Sequence, residues 1–596
     1  MPARAGDVGP RETGPVILRS TIGQAIGHVI GRTVLRTADS PLETVSVLAG
    51  AGVLGPVRPD RLVAMARALL RWGMSPAAAL AVAAARSPDA VAVIDDDGPV
   101  TFAELDRRSS AVARGLLDLG VRERDAVALL IRNSRHFVVA LAAVSKVGAD
   151  LLYLNTGFGP AQLAQVLDDE KVAAVIADEE FEPLVADAAP QVPSVLAWVE
   201  GPRDDVPTLD ALGAAAPTPP PPPRHTSRHV ILTSGTTGRP RGAARDAPAP
   251  LAGLELLVAL VGAVPLRARR TTLLASPMFH AWGLAHLVLG LLLQSTLVVR
   301  RRFDAGTILA LLGEHEVDAL IGVPVMLQRI VELPEEVRRR YPAPALRVVG
   351  VSGSAIPPGV AERFMDGYGE VVHNLYGSTE VAYVSVATPQ DLREVPGSAG
   401  RPLHGVTLQI LDDEGVRVPP GVRGRIFAGS ALTFAGYSGG QDPQRRGGLV
   451  ATGDVGYLDA RGRLTVEGRL DDMIVSGGEN VYPREVENGL LAHPDVADAA
   501  VVGVPDARFG QALVAYVVLR DGAVVTPQGL RRYLKRELAS YQVPRDVVIR
   551  RSLPRNETGK VLRGALSGGG LVPGAPGGHP RADQQEGTER KGGDVG

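Results

Sequence analysis

The 596-residue chain contains no cysteine, which excludes disulfides, a thiol nucleophile, iron–sulfur ligation and any thiolate-bound zinc. Aromatic residues make up only 4% of it, and its cations are overwhelmingly arginine, the five lysines being Lys146, Lys171, Lys535, Lys560 and Lys591. Each lysine position is therefore informative. Neither sign of charge is in excess, with 63 Lys+Arg against 65 Asp+Glu, so the basic surplus of a nucleic-acid binder is missing and no nucleic-acid partner is expected. Also missing is an uninterrupted apolar stretch of the roughly 20 residues that a spanning helix needs. Ala247–Leu266 is broken by Pro248, Pro250, Glu255 and Pro265, and Gly283–Val299 by His286, Gln294 and Ser295; both read as buried core elements. The first fifteen residues lack the apolar centre of a secretory signal and carry Asp7 and Glu12, so cytoplasmic residence is the expectation.

What is present is the composition of a folded protein, 45% apolar and 21% charged, long enough for several domains. Residues 1–15 read as disordered. Val16–Thr37 and Arg61–Arg86 mix apolar residues with arginines at helical spacing; the expectation is helices packed on the main body, and the alternative is peripheral contact with a membrane surface or a partner groove. From residue 87, short apolar runs (Val91–Ile94, Ala126–Leu130, Ala173–Ile176, Ser194–Val199) alternate with helical periods (Thr101–Leu119, Arg135–Val147), which argues for an α/β fold with largely parallel sheets. Pro219–Pro223 forms a stiff connector ahead of the strand His229–Thr233. Val406–Asp459 is rich in strand and turn signals, and a second α/β pattern follows Arg469. From Ser567 glycine, proline and charge dominate, as in a flexible tail. The expected domains are thus a helical extension (1–86), a large domain (87–470), a small C-terminal domain (471–566) and a disordered tail (567–596).

The densest chemical signal is Ile231-Leu232-Thr233-Ser234-Gly235-Thr236-Thr237-Gly238-Arg239-Pro240-Arg241-Gly242, an apolar strand end running into hydroxyls, glycines and arginines. Glycines let backbone N–H groups turn onto an anion, hydroxyls add neutral donors and arginine adds charge, which suits phosphate. No Lys-Ser/Thr follows the glycines, so it is not a mononucleotide P-loop. This stretch resembles the S-G-T-T-G-x-P-K-G signature of the adenylate-forming enzymes, the superfamily of acyl-CoA synthetases, adenylation domains and beetle luciferases. Four further blocks match it in order. Tyr376-Gly377-Ser378-Thr379-Glu380 resembles Y-G-x-T-E, and Thr452-Gly453-Asp454 resembles T-G-D. Gly468-Arg469-Leu470-Asp471-Asp472-Met473-Ile474 resembles G-R-x-x-D-x-I, and Asn556-Glu557-Thr558-Gly559-Lys560-Val561-Leu562-Arg563 resembles N-x-T-G-K-x-x-R.

The resemblance implies a large N-terminal domain of layered α/β subdomains with a small β-barrel-like part, and a small mobile C-terminal α+β domain. It also implies ATP, Mg²⁺ and coenzyme A as the cofactors and substrates. Thr233, Ser234, Gly235, Thr236, Thr237, Gly238 and Arg241 would hold phosphates, with Thr233 and Glu380 near Mg²⁺. Gly353, Tyr376, Gly377, Ser378 and Thr379 would flank the adenosine. Asp454 would accept from the ribose hydroxyls, Arg469 would touch ribose or phosphate, and Lys560 would reach the acid and the α-phosphate. Asp471 would be the hinge, and Ser476, Gly477, Gly478 and Glu479 would line the path of coenzyme A.

Ser276-Pro277-Met278-Phe279-His280-Ala281-Trp282-Gly283 resembles the P-x-F-H-x-x-G segment of fatty acyl-CoA synthetases. His280, Trp282, Val351 and Gly377 would accordingly line an acyl pocket, with His280 near the carboxylate. The favoured expectation is a medium- or long-chain fatty acid:CoA ligase. The alternatives are an aryl or other carboxylic acid, transfer to a carrier protein, or a catalytically weak acyl- or nucleotide-binding relative. Arg241 stands where the family has lysine, and Arg425 and Leu449 also depart from its pattern.

Overall fold

The computed structural model describes residues 41–567, apart from 216–218, 235–239, 246–249, 379, 431–432, 435, 438–442, 477–478, 507–509 and 557–558. Among the described residues two large sheets are stacked with helices between and outside them. The seven-stranded sheet has at its centre Asp150–Tyr153, Ala126–Leu130 and Val172–Ala177, all parallel. The nine-stranded sheet has a parallel centre of Val372–Ser378, Val348–Val351, Ala319–Gly322, Thr271–Leu274 and Thr296–Val298. These strands are nearly unbroken apolar runs because both faces are covered. Helices Arg135–Val147 and Ala281–Leu293 contribute to a core that also takes Leu129 and Leu151 from one sheet and Ile321 and Val348 from the other. On its far face the nine-stranded sheet packs Leu320, Val349 and Val351 against helices Ala305–Glu314, Pro324–Val331 and Val360–Tyr368.

A third, antiparallel sheet of five strands contains Leu449–Leu458 and Leu464–Arg469. After Arg469 a separate five-stranded sheet and its helices form the small C-terminal domain, with its own core around Ile474, Val501, Ala515 and Leu530. The fold is therefore mixed α/β, with a large N-terminal and a small C-terminal domain.

The apolar stretch Gly283–Val299 is not one element. Helix Ala281–Leu293 stops at Gln294, which takes the left-handed conformation (φ 54°), and the chain re-enters the sheet at Thr296. The helix Pro76–Arg86 is almost wholly buried, and Trp72, which ends the helix Pro59–Trp72, packs on Ala77, Ala78 and Ala81. Beneath that tryptophan Lys146 is fully buried, its ammonium donating to Asp106 Oδ1 (2.7 Å), Ser109 Oγ (2.8 Å) and Ser110 Oγ (2.9 Å). A buried charge needs such saturation, so this lysine is structural. The expectations for residues 1–40 and for the tail beyond 567 lie outside the described residues.

Candidate active site

Four parallel strands of the nine-stranded sheet end side by side, at Leu274, Gly322, Val351 and Ser378. The carboxyl edge of such a sheet is where loops of unrelated sequence position meet. Strand Val372–Ser378 turns back antiparallel into Ala382–Ala387 with a bulge at Tyr376/Gly377. A Cβ on Gly377 would collide with the carbonyl of Ala382, so the glycine answers to this close strand approach rather than to room for a ligand. Glu380 follows at the tip, its N–H donating to Ser378 Oγ at 3.3 Å.

Facing this hairpin, strand Leu449–Leu458 carries Asp454, whose cross-strand partner is Arg469. Tyr376 Oη donates to Asp454 Oδ2 (2.5 Å), and Arg469 Nη1 stands 3.5 Å from Asp454 Oδ1. The local sequence builds this arrangement. Thr452 is buried, donates to the carbonyl of Ile426 (3.1 Å) and accepts from the N–H of Asp454 (3.2 Å). Gly453 has φ 78°, and a side chain there would meet the Arg469 guanidinium at 2.7 Å. Burial holds the Asp454 carboxyl above its ordinary pKa, with Glu380 adding to the effect and Arg469, Tyr376 and Lys560 opposing it. Burial, with Asp454 beside it, pushes the Tyr376 phenol far up, so it remains a donor.

Lys560 enters from the other domain. It sits on a tight turn in which Asn556 N–H donates to the carbonyl of Lys560 (2.9 Å) and Asn556 Oδ1 accepts from its N–H (2.8 Å). Behind the turn Arg555 grips both oxygens of Asp498 at 2.7 Å, and Arg563 binds Glu487 and the carbonyl of Val501. Gly559 (φ 77°) lies so close to Val325 of the large domain that a Cβ would collide with it. The Lys560 side chain is open to solvent on one side yet crowded by protein on the others. Desolvation and then Arg469 lower its pKa, Arg563 adds to this, and Asp472 and Asp454 oppose it. Four segments thus converge: the hairpin of Tyr376 and Glu380, the strands of Asp454 and Arg469, and the turn of Lys560 bring their charges together between the domains.

A model of the AMP-binding enzyme family matches residues 80–438, and one of the AMP-binding enzyme C-terminal domain matches residues 485–560. The chain belongs to the AMP-binding enzymes. A feruloyl-CoA synthase of Amycolatopsis is 35% identical over 489 residues, 80% of this chain and 96% of the relative. A 2-succinylbenzoate–CoA ligase of Bacillus cereus is 32% identical over 80% of this chain and 95% of its own length. The solved o-succinylbenzoate CoA synthetase from Bacillus subtilis, in complex with its acyl-adenylate intermediate, superposes with a TM-score of 0.71. It shares 30% identity and covers 82% of this chain and 97% of its own.

In this AMP-binding enzyme the remaining expected residues are distributed as follows. Gly235, Thr236, Thr237, Gly238, Thr379, Gly477 and Gly478 lie outside the described residues. Thr233 and Ser234 end a strand paired with Arg241 and Pro240. Gly353 turns the chain just past Val351 with φ 93°. Asp471 stands 3.5 Å from Arg469. Ser476 and Glu479 pair across a hairpin of the C-terminal domain.

His280 caps the helix Ala281–Leu293, its ring 4.4 Å from that of Phe279. Its buried Nε2 has no hydrogen-bond partner among the described residues, and burial lowers its pKa to about 4, so the ring is neutral. Trp282 is locked: its indole N–H donates to Gly322 O (2.8 Å), with His286 at 3.9 Å and Tyr383 at 6.0 Å between ring centroids. A Cβ on Gly283 would collide with Pro277 O, so the last glycine of the segment lets the helix start close on the preceding turn.

Val351 does not join Trp282. Successive strand residues face opposite ways, and Val351 is buried on the far face with Phe364 and Ile356. The residue that faces the indole is Gly350, where a Cβ would stand 3.4 Å from Trp282 and 3.0 Å from Ile321. Sequence reasoning missed Gly350, although the period of two held the signal. It also missed Asn133, whose side chain donates to Ser276 O (2.9 Å) and accepts from Met278 N–H (2.8 Å), fixing the loop that leads to His280.

Proposed function

We propose that this AMP-binding enzyme is an AMP-forming acid–CoA ligase that activates an aromatic carboxylic acid. The observation that carries the reading is the convergence of Lys560, Arg469 and Asp454 on one cleft, joined to a relation of 35% identity with a feruloyl-CoA synthase. The relatives named above act on acids that bear an aromatic ring, which favours the aryl alternative over the fatty acid. The locked indole of Trp282 with Tyr383 and His286 supports it, because a fixed aromatic wall suits a flat substrate better than a long flexible chain.

In the first half-reaction the acid's carboxylate oxygen attacks the α-phosphorus of ATP, a P–O bond forms and pyrophosphate leaves. Two anions must meet, so the work is electrostatic and positional. The Lys560 ammonium neutralises the carboxylate and α-phosphate oxygens as charge shifts between them, and the Arg469 fork holds the ribose or phosphate side. Asp454 accepts from the ribose hydroxyls, and Tyr376 flanks the adenine and keeps Asp454 oriented. Thr233 through Gly238, with Arg241, cradle the outer phosphates. Mg²⁺ enters with ATP as part of the substrate. Among the described residues no three His, Asp or Glu side chains converge on a metal, while Glu380 stands close enough to raise the pKa of Asp454 and offers one hard oxygen. In the second half-reaction the thiol of coenzyme A attacks the acyl carbon and AMP leaves, the pantetheine arm passing along Ser476–Glu479 after the small domain turns about Asp471.

Pyrophosphate release and thioester formation measured across ferulic, 2-succinylbenzoic, benzoic, decanoic and palmitic acids test the reading. The expected result is the highest kcat/KM with an aromatic acid and free coenzyme A as acceptor. Preferred turnover of decanoic or palmitic acid would sink the substrate class, and pyrophosphate release without thioester would sink the acceptor.

A further inference from the structure

The family match begins at residue 80, yet the chain builds an ordered surface before it. Helix Pro59–Trp72 presses Trp72 and Ala68 inward against Ala77, Ala78 and Ala81. On its other side Leu62, Leu69 and Leu70 are 42%, 45% and 88% exposed. At 100° per residue these leucines fall within one sector of about 100°, and Arg67, Asp60 and Arg71 follow about 60–100° beyond its edge. Exposed leucines gathered on one helix make an apolar patch of the kind that contact surfaces carry.

The exposed charge beside them is mainly basic, Arg67 and Arg71 against the single acid Asp60 of this helix. Arg71 donates to the carbonyl of Pro220, Arg86 to that of Val53 and Arg269 to that of Gly52. Carbonyls orient a guanidinium but do not neutralise it. Among the described residues none of Arg61, Arg67, Arg71, Arg86 and Arg269 is paired with a carboxylate, and Asp60 is taken by Arg58 at 3.0 Å. Burial, and after it the neighbouring Arg269, lower the pKa of Arg86.

We propose that this leucine-and-arginine face is a docking surface for an anionic lipid bilayer, on which the enzyme lies peripherally. Leucines enter the headgroup–acyl boundary while arginines meet lipid phosphates, the arrangement of an interfacial amphipathic helix. Charge selects this occupant over the chain's own amino-terminal segment. Residues 16–37 carry Arg19, Arg32 and Arg36 and no carboxylate, so they would be repelled from an arginine face and drawn to the same anionic surface. Among the described residues no helix is long and apolar enough to cross a membrane, so the contact proposed is one of lying on the bilayer.

The absence of cysteine makes the test direct. Full-length Leu70→Cys carries one thiol, which takes an environment-sensitive fluorophore. Phosphatidylcholine vesicles containing phosphatidylglycerol are expected to shift its emission to the blue and to carry the protein in flotation, whereas phosphatidylcholine alone does neither. In the unlabelled chain Arg67→Gln/Arg71→Gln is expected to weaken vesicle binding by at least about tenfold, at roughly 1 kcal/mol per arginine, and Leu69→Gln/Leu70→Gln similarly. CoA-ligase activity in solution should stay unchanged in both, which separates this proposal from the catalytic one. Flotation that persists in both double variants, equal binding to neutral vesicles, or emission already blue-shifted before lipid is added would each overturn it. The last outcome would mean that a second copy or the chain's own segment covers the face.

Discussion

A lysine that must reach a phosphate as a cation works only while protonated, and Lys560 sits where desolvation and Arg469 lower its pKa. Its charge is therefore lost at a lower pH than that of an ordinary lysine. Pyrophosphate release should fall on the alkaline side as pH rises through that lowered value, and Lys560→Arg, if active, should move the limb upward. Lys560→Ala should cost about two to three orders of magnitude in adenylation while most of the thioester formation from supplied acyl-adenylate survives; equal loss of both halves would refute the assignment. Asp454 has the opposite problem. Its folded pKa is raised, so its contribution to stability is present below its unfolded pKa and is lost as pH rises through the folded value. Asp454→Asn should therefore melt at a higher temperature than the parent at neutral pH, with the gap closing in acid, while the KM for ATP rises. A variant less stable at neutral pH would contradict the burial argument.

At the scale of elements, the Lys560 turn is positioned by contacts that carry no chemistry themselves. Gly559 touches Val325 with a left-handed backbone, so Gly559→Ala should impair pyrophosphate release with little change in melting temperature. Val325→Ala should restore part of the loss, leaving about 1 kcal/mol of backbone strain; a fully active Gly559→Ala would show that the turn need not seat there. The strand at Gly350 teaches a related lesson. Small residues near Val351 were legible in sequence, but the register that turns Gly350 rather than Val351 toward Trp282 depends on which face of the sheet the indole packs against. Trp282→Ala should widen acid selectivity toward longer chains, read as the ratio of kcat/KM for decanoic to ferulic acid, at a stability cost of about 3–5 kcal/mol. An unchanged ratio would remove Trp282 from the pocket wall.

Among the described residues the two domains meet at several polar contacts, one of them Arg484 donating to the carbonyl of Val466 at 2.9 Å. Arg423 of the large domain binds Glu467 and reaches Glu485 of the small domain at 2.7 Å, with its guanidinium 5.0 Å from the ring of Tyr482. Gln328 donates to the carbonyl of Ala497 at 3.2 Å. Such half-exposed pairs contribute about 0–1 kcal/mol each, enough to bias a domain orientation without freezing it. Arg423→Ala should slow pyrophosphate release a few-fold, and raised salt should slow the parent more than the variant; the same salt response in both would mean that the pair does not hold the domain.

The alternation of apolar runs with helical periods identified the α/β layers, and the five motif blocks identified the family but not the acid, because both are local: a run needs its own residues, and a glycine–hydroxyl loop keeps its composition wherever it lies. The rarity of lysine also made the motif match at Lys560 informative without any structure. What tertiary structure alone decided was juxtaposition. Asp454 meets Tyr376 because two hairpins face each other, Gly350 replaces Val351 because strand register is set by the neighbouring helix, and Leu70 stays bare because Trp72 takes the inward side. Contacts between residues tens to hundreds of positions apart depend on how layers stack, and no local pattern encodes that stacking.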